Sequence, residues 1–277
     1  VEHIAKQLPM LMLGRILGVP DEDLEWLVEK GDALIGNSDP DFAQVVIDKM
    51  DTDAYRLMPF RSPAGVELYD YAEEILSGRK KVDPEGVLAR VIELNKADGV
   101  MMERDFKNFF CLLIAAGNDT TRYSIAMSIY QLTQDPSQLA ALQTGAFSDT
   151  CADEYIRYAS PTMHFRRTAT QDVTMGHKTI KAGDKVILWF VAGNRDPLVF
   201  DDPHSIKLDR PVSKHLAFGQ GGVHVCLGMW LARIEIRIVL QVLAERLISI
   251  QALEEPAWTR SNFICGVKRL PVRVSLK

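Results

Sequence analysis

The chain has 277 residues with 32 Lys or Arg and 37 Asp or Glu, and its net charge of −5 gives no electrostatic reason to expect nucleic acid as a partner. Hydrophobic residues make up 47% and charged residues 25%, which is typical of globular proteins and excludes disordered, collagen-like and small disulfide-bonded chains. No run of about 18 apolar residues predicts a membrane span, and the beginning, VEHIAKQLPM, lacks a signal-peptide pattern, so a cytoplasmic protein is expected.

The first half of the chain predicts a series of helices. Apolar residues recur at helical spacing in several stretches, which are separated by glycine and proline. The helices are expected at 4–17, from about 21, and at 66–76, 84–94 and 101–132. The last of these is long and apolar, and it ends before Asp135-Pro136, as helices usually do ahead of a proline.

Residues that should destabilise a buried helix lie in the middle of the stretch 101–132. Gly117 is followed by the polar segment NDTT at 118–121, in surroundings that are otherwise apolar. Glycine weakens a helix, and buried polar groups cost free energy unless they are hydrogen-bonded. Such a feature indicates a functional site, and we expect Gly117 to permit a local widening of the helix.

The second half adds a small β region. Short helices are expected at 137–142 and 150–158, a strong helix at 227–247, and alternating β-branched stretches at 166–173, 178–180, 185–191 and 263–276. The sequence therefore predicts a mainly α protein with a small β region.

The segment HLAFGQGGVHVCLGMWLAR, residues 215–233, carries the sharpest chemical signal. Its glycines allow the backbone to approach something large and flat, and Cys226 precedes a predicted helix whose dipole favours a thiolate. A thiolate there would be a good ligand for a soft or borderline metal. Three alternatives stay open on the residues alone: an ordinary core thiol, zinc held by His224 and Cys226 without a second ligand pair, and a phosphate cradle that satisfies neither GxxxxGK nor GxGxxG.

The other cysteines give no such signal. No CxxC pair occurs, and Cys111 and Cys265 lie among apolar or strand-like neighbours, which predicts buried reduced thiols.

FGQGGVHVCLG resembles the haem-binding loop of the cytochrome P-450 family, F-G-x-G-x-H-x-C-x-G, with one extra residue between Phe218 and Cys226. Three further motifs follow the family's order: AAGNDTTR at 115–122, EYIR at 154–157, and SIKLDR, which ends at Arg210. The resemblance covers essentially the whole chain, and it implies a single cytochrome P-450 domain over 1–277 that lacks roughly the N-terminal third of the fold. Within it, 101–132 is the expected oxygen-activating helix and 215–233 the haem-thiolate loop with its following helix.

The resemblance implies haem b as cofactor, with Cys226 as the axial ligand of the iron. Asp119 and Thr120 are the expected catalytic pair, because a carboxyl group and a hydroxyl can deliver the protons that O–O cleavage consumes. Arg167 and His224 resemble the partners of the haem propionates, and the adjacent Arg166 competes with Arg167 for that role. The expected cofactor-binding residues are Arg167, His224, Phe218, Gly219, Gly228 and Ala116.

Glu154 and Arg157 are three residues apart on a predicted helix and can pair. The resemblance adds Arg210 and implies a buried cluster that braces the cysteine loop, which is a structural role rather than a catalytic one.

The expected substrate is a hydrophobic small molecule. Phe109, Leu112, Leu113 and Ala116 share a helix face with Thr120, and no charged residue lies on that face. The resemblance adds Met163 and Ile264 to this pocket. The strings AGNDTTR, RRTAT, GNRDP and SNFICGVKRLPV resemble bacterial members that act on aliphatic lipids, which include steroids, terpenoids, fatty acids and alkanes.

Ferredoxin and ferredoxin reductase are the redox partners that the resemblance implies, because no reductase domain is fused to the chain. The docking face is expected on 227–237, with Arg233 and Arg237. The expected function is a haem-thiolate monooxygenase, and the alternative is a haem-binding or inactive remnant without turnover. A peroxide-driven enzyme is a third possibility, although a basic residue and a proline would then be expected in place of Asp119 and Thr120.

Overall fold

The computed structural model describes residues 1–145, 150–211 and 214–277. The α-helices are α1 (Gln7–Leu17), α2 (Leu24–Ile35), α3 (Pro63–Leu76), α4 (Val87–Asp98), α5 (Glu103–Gln134), α6 (Pro136–Gln143), α7 (Cys151–Ala159), α8 (Phe190–Gly193) and α9 (Met229–Arg246). The strands are β1 (His164–Thr168), β2 (Val173–Met175), β3 (Lys178–Ile180), β4 (Lys185–Trp189), β5 (Leu247–Ala252), β6 (Ala257–Trp258), β7 (Val267–Arg269) and β8 (Val272–Leu276). The predicted mainly α class with a small β region is confirmed.

The residues group into two compact units. The first consists of Val1–Tyr130, Gln251–Ser261 and Gly266–Arg273, and the second of Gln131–Ile250, Asn262–Cys265 and Val274–Lys277. Over the parts of the chain that the structure describes, no helix is long and apolar enough to cross a membrane.

The first unit is built on α5, which contributes fully buried side chains such as Phe110 and Ile114. The ring of Tyr71 from α3 stacks between Trp26 of α2 and Phe110 of α5, with both centroid distances at 5.3 Å. Stacked aromatic pairs add to the free energy of burying their area, so this stack joins the three helices.

Gly117 does not widen α5, contrary to the expectation from the sequence, because the helix is α-helical throughout 103–134. A Cβ atom at this position would lie 2.9 Å from Cδ2 and 3.1 Å from Cδ1 of Leu13. The glycine therefore admits a side chain of α1 against the α5 backbone. Its role in this structure is close packing.

The second unit contains α7 and α9 together with the short ladders β1–β4 and β2–β3, which are both antiparallel. Most of the residues of β1 and β4 are exposed.

The strand β5 was not predicted, because the helical pattern was extended to residue 247. Leu247 and Ile250 are buried in it while Ile248 is 59% exposed.

Candidate functional site

The loop that precedes α9 is shaped by glycines with left-handed backbone conformations. Gly219, Gly221 and Gly222 have φ angles of +71°, +67° and +88°, which L-residues with a side chain rarely adopt. The Cys226 amide donates to the Phe218 carbonyl over 3.0 Å and closes the loop. Cys226 is an exposed residue, whereas Cys111 and Cys151 are buried and Cys265 is half-buried.

Without a bound metal ion, the dipole of α9 does not give the Cys226 thiol a low pKa. The residue lies three positions before α9 begins at Met229. Although the residue is exposed, the surrounding chain removes enough water to raise the pKa of its thiol, against the lowering effects of the Gly228 amide and Arg233. A bound metal ion would supply the positive charge that ionises a coordinating thiol.

The surroundings of Cys226 fit a large flat group such as haem. A Cβ atom added at Gly221, Gly222 or Gly228 would meet nothing within 4 Å, so open space adjoins the loop. Val223 and Leu227 are 94% and 86% exposed, which leaves apolar area for a macrocycle to cover. A zinc site is less well supported, because the described residues contain no group of three or more His, Cys, Asp or Glu that could hold a metal ion.

The exposed residues Arg166, Arg167 and His224 offer basic groups for carboxylates. Both arginines lie on β1, where successive side chains point to opposite faces, so only one of them can serve a given ligand. The Arg167 guanidinium lies 5.9 Å from the Phe165 ring and donates to the Arg166 carbonyl over 3.0 Å. Neither contact neutralises its charge.

The structure brings Glu154, Arg157 and Arg210 together in a buried cluster. Arg157 forms two parallel hydrogen bonds to the Glu154 carboxylate, both 2.8 Å, and Arg210 Nε donates to Glu154 Oε2 over 2.9 Å. Burial favours a raised pKa for Glu154, but these bonds and the Lys207 amide outweigh it and hold the pKa below its usual value. The carboxylate therefore stays charged, and both of its oxygens have partners.

Asn194 links this cluster to the cysteine loop and was not identified from the sequence. It is fully buried, and its backbone carbonyl accepts from Arg157 Nη1 over 2.7 Å. Its side-chain oxygen accepts the Leu216 amide over 2.6 Å, two residues before Phe218. A lone asparagine in a loop carries no periodic signal, so only the tertiary contacts show its position.

Asp119 is buried in an ion-pair network of the first unit. Its Oδ1 lies 2.9 Å from Arg122 Nη2, and the same guanidinium pairs with Asp32 of α2. Burial raises the pKa of Asp119 to about 7, against the lowering effect of Arg122. Its second oxygen, Oδ2, is buried without a hydrogen-bond partner.

Thr120 lies beside a stripe of incompletely buried side chains on α5. Its Oγ1 donates to the Ala116 carbonyl one turn earlier, over 2.7 Å. The predicted pocket residues on this helix are exposed or half-buried, and Leu112 is 59% exposed, although flanking positions such as Phe110 and Ile114 are fully buried. The residues of the stripe are Phe109, Leu112, Leu113 and Ala116.

The two pocket residues that the resemblance added, Met163 and Ile264, lie in the second unit. The Met163 amide donates to the Phe263 carbonyl over 2.9 Å, and its side chain is half-buried. Ile264 pairs with Thr162 in an isolated bridge and is only 1% exposed. In this conformation its side chain is part of the core and lines no open surface.

Arg233 is turned inward rather than toward a partner protein. Its Nε donates to Asp153 Oδ1 over 2.8 Å, and its guanidinium lies 5.0 Å from the Phe218 ring. The charge of Arg233 is therefore paired within the second unit, and its docking role stays a prediction. Arg237, one turn later on α9, is exposed.

Comparisons with known proteins agree on one family. The family model described as "Cytochrome P450" matches residues 138–248. The chain is 35% identical over 99% of its length to the "Putative cytochrome P450 126" of Mycobacterium tuberculosis, and 34% identical over 98% to the "Methyl-branched lipid omega-hydroxylase" of Mycobacterium bovis. It spans 64% and 61% of the length of those relatives.

Among solved structures, P450BioI in complex with a fatty-acid-loaded acyl carrier protein superposes with a TM-score of 0.82 at 30% identity, over 98% of this chain and 67% of that one.

Proposed function

Because the chain belongs to the cytochrome P450 family, whose members carry haem b, we propose that it is a haem-thiolate monooxygenase acting on a hydrophobic aliphatic small molecule. The overall reaction converts a C–H bond, O2, two electrons and two protons into an alcohol and water. Steroids, terpenoids, fatty acids and alkanes are the candidate substrates, and one relative is named a methyl-branched lipid omega-hydroxylase.

One observation carries the proposal: Cys226 is an exposed residue in a glycine-shaped loop that Asn194 connects to the buried Glu154 cluster. Cys226 would coordinate the iron, and Arg167 and His224 would bind the propionates. Haem, when bound, supplies the activation of O2 and the insertion of one oxygen atom.

The remaining chemistry belongs to the chain's own residues. Thr120 holds a proton on Oγ1. Burial raises the pKa of Asp119, and its unpartnered oxygen, Oδ2, can take up and release a proton. A carboxyl group whose pKa is raised in this way is better suited to proton transfer than an ordinary one. The apolar stripe 109–116 would hold the substrate by burial rather than by charge.

The electrons would come from a ferredoxin and its reductase in the cytoplasm. The exposed part of α9 around Arg237 is the candidate docking surface. Reversing that charge, in Arg237→Glu, should slow reduction of the iron by ferredoxin, while reduction by dithionite stays unchanged.

The carbon monoxide difference spectrum of the reduced protein tests the proposal. The wild type should bind haem and give the Soret band typical of a thiolate ligand, Cys226→Ser should lose that band, and Cys265→Ser should keep it. A wild type without haem, or with a histidine-like spectrum, would contradict the proposal. A thiolate spectrum without product from any lipid substrate would favour the inactive remnant instead.

A further inference from the structure

A second buried cluster in the same unit joins α7, the cysteine loop and α9. Asp153, on α7, is 8% exposed, and a single oxygen of its carboxylate binds two partners. His215 Nε2 lies 2.8 Å from Asp153 Oδ1, and Arg233 Nε donates to the same atom over 2.8 Å. His215 and Arg233 are the first and last residues of the 215–233 segment, so one carboxylate ties both of its ends.

The hydrogen bonds determine the charges in this cluster. The Ala217 amide donates to His215 Nδ1 over 3.3 Å, so Nδ1 carries no proton and the Nε2 proton points to Asp153. Burial favours a raised pKa for Asp153, but the bonds from His215 and Arg233 outweigh it and lower the pKa. A charged carboxylate therefore binds both the His215 ring and the Arg233 guanidinium.

Both partners of Asp153 also touch Phe218. The His215 ring lies 5.5 Å from the Phe218 ring, and the Arg233 guanidinium lies 5.0 Å from it. The Phe218 carbonyl in turn accepts the amide of Cys226. A continuous path of contacts thus runs from the carboxylate to the cysteine that would bind the iron.

We propose that Asp153 is a positioning residue: by binding His215 and Arg233 together, it fixes Phe218 and thereby the place of the Cys226 sulfur. This inference rests on the proposed function for its consequence at the iron. The fixing of the loop is a property of the protein chain and is measurable without haem.

Hydrogen exchange of the haem-free protein tests the first step. In Asp153→Asn, the Cys226 amide should exchange about ten to a hundred times faster, which corresponds to the loss of one charge-assisted hydrogen bond. Glu245→Gln is the control and should leave exchange at Cys226 unchanged, because it alters an exposed carboxylate of the same helix, α9, that accepts from Gln241 over 2.9 Å. Unchanged exchange at Cys226 in Asp153→Asn would overturn the inference.

If Asp153→Asn does not fold, variants of Arg233 test the same path of contacts. The Arg233 side chain is 27% exposed, so replacing it should destabilise the fold less than replacing Asp153. Arg233→Gln removes the ion pair and should accelerate exchange at Cys226. Arg233→Lys keeps the cation beside Asp153 and should restore part of the protection. Equal exchange in the wild type and Arg233→Gln would contradict the proposed path.

The spectrum of the haem-loaded protein tests the second step. Asp153→Asn should convert part of the reduced carbon monoxide complex from the thiolate band to the band of a protonated or lost thiol, and the exposed-site variant Glu245→Gln should not. A wild type without the thiolate band would overturn the proposed function. A wild type with that band and an identical Asp153→Asn spectrum would overturn only the present inference.

Discussion

Burial sets the protonation state of Glu235 on α9. The side chain is 5% exposed, its Oε2 has no hydrogen-bond partner, and desolvation raises its pKa to about 7. The folded state therefore keeps a proton that the unfolded chain, with a glutamate pKa of 4.5, releases. The contribution of this group to stability falls as the pH rises from about 4.5 to about 7 and is constant above that.

Replacing Glu235 with Gln removes this cost of burying a charge. We expect the free energy of unfolding at pH 8 to rise by on the order of 1–3 kcal/mol, with little change at pH 4. Thermal unfolding at the two pH values measures the difference. Glu245→Gln, which alters an exposed carboxylate of the same helix, should show no such pH dependence. A loss of stability in Glu235→Gln at pH 8 would contradict the account.

The hydroxyl of Thr120 is the group whose removal should separate proton delivery from binding. In Thr120→Ala we expect NAD(P)H consumption to continue while product falls and peroxide rises, and Thr120→Ser should restore most of the product. Ser128→Ala is a matched control, because Ser128 forms the same kind of bond on α5, to the Ser124 carbonyl over 2.8 Å. Peroxide release that is equal in the wild type and Thr120→Ala would argue against this assignment.

At the scale of elements, two glycines allow close packing against different partners. A Cβ atom on Gly266 would overlap the ring of Tyr123 on α5, whereas a Cβ atom on Gly117 would meet only the flexible end of Leu13. Aromatic rings cannot yield without moving the helix, and the end of a leucine side chain can.

We therefore expect Gly266→Ala to lower the free energy of unfolding by about 1–3 kcal/mol or more. Gly117→Ala should be close to neutral, because a gain in helix propensity of about 1 kcal/mol offsets the movement of Leu13. Thermal unfolding of the haem-free variants compares them. The packing argument fails if the two variants lose the same stability.

The buried cluster of Glu154, Arg157 and Arg210 should contribute more to the free energy of unfolding than an ion pair on the surface. Glu154→Gln weakens the pairing of two buried guanidinium groups, and we expect a loss of about 3–5 kcal/mol, which amounts to a failure to fold in a marginally stable chain. Glu85→Gln, which removes the exposed pair with Arg90, should change stability by less than about 1 kcal/mol. Soluble yield and thermal unfolding measure both, and a stable Glu154→Gln variant would contradict this view of the cluster.

The sequence predicted those helices and strands in which apolar residues keep one regular spacing throughout. Helix α5 was expected at 101–132 and lies at Glu103–Gln134, because its apolar spacing is long and a proline follows it. The strand β5 was missed, because LAERLISIQA continues the apolar pattern of α9 without a glycine or proline to mark the change.

Contacts between side chains were likewise predictable from the sequence only where the two residues lie close together on one helix. The pairing of Glu154 with Arg157 follows from their spacing on one helix, whereas Arg210 required the resemblance to a family. Asp153 and His215 are 62 positions apart, and nothing in their local sequence indicates that they meet. Tertiary packing alone brings such pairs together.

At the scale of the whole molecule, the chain belongs to the cytochrome P450 family and spans 64% of the length of a curated relative. If the apolar stripe of α5 contacts the substrate, branched lipids and terpenes should shift the spin state of the haem-loaded protein. Leu112→Glu should abolish that shift because it places a charge on the stripe, and Arg90→Glu, at an exposed position on α4, should not.

The bond between the Cys226 sulfur and iron is the central claim, and isotopic labelling tests it most directly. Resonance Raman spectra of the ferric haem complex should be compared for protein made with ordinary cysteine and with ³⁴S-cysteine. We predict an iron–sulfur vibration that moves to lower frequency with the heavier isotope in the wild type and Cys265→Ser, and that is missing in Cys226→Ser. A haem-loaded wild type without a sulfur-sensitive vibration, or one that keeps it in Cys226→Ser, would contradict the account.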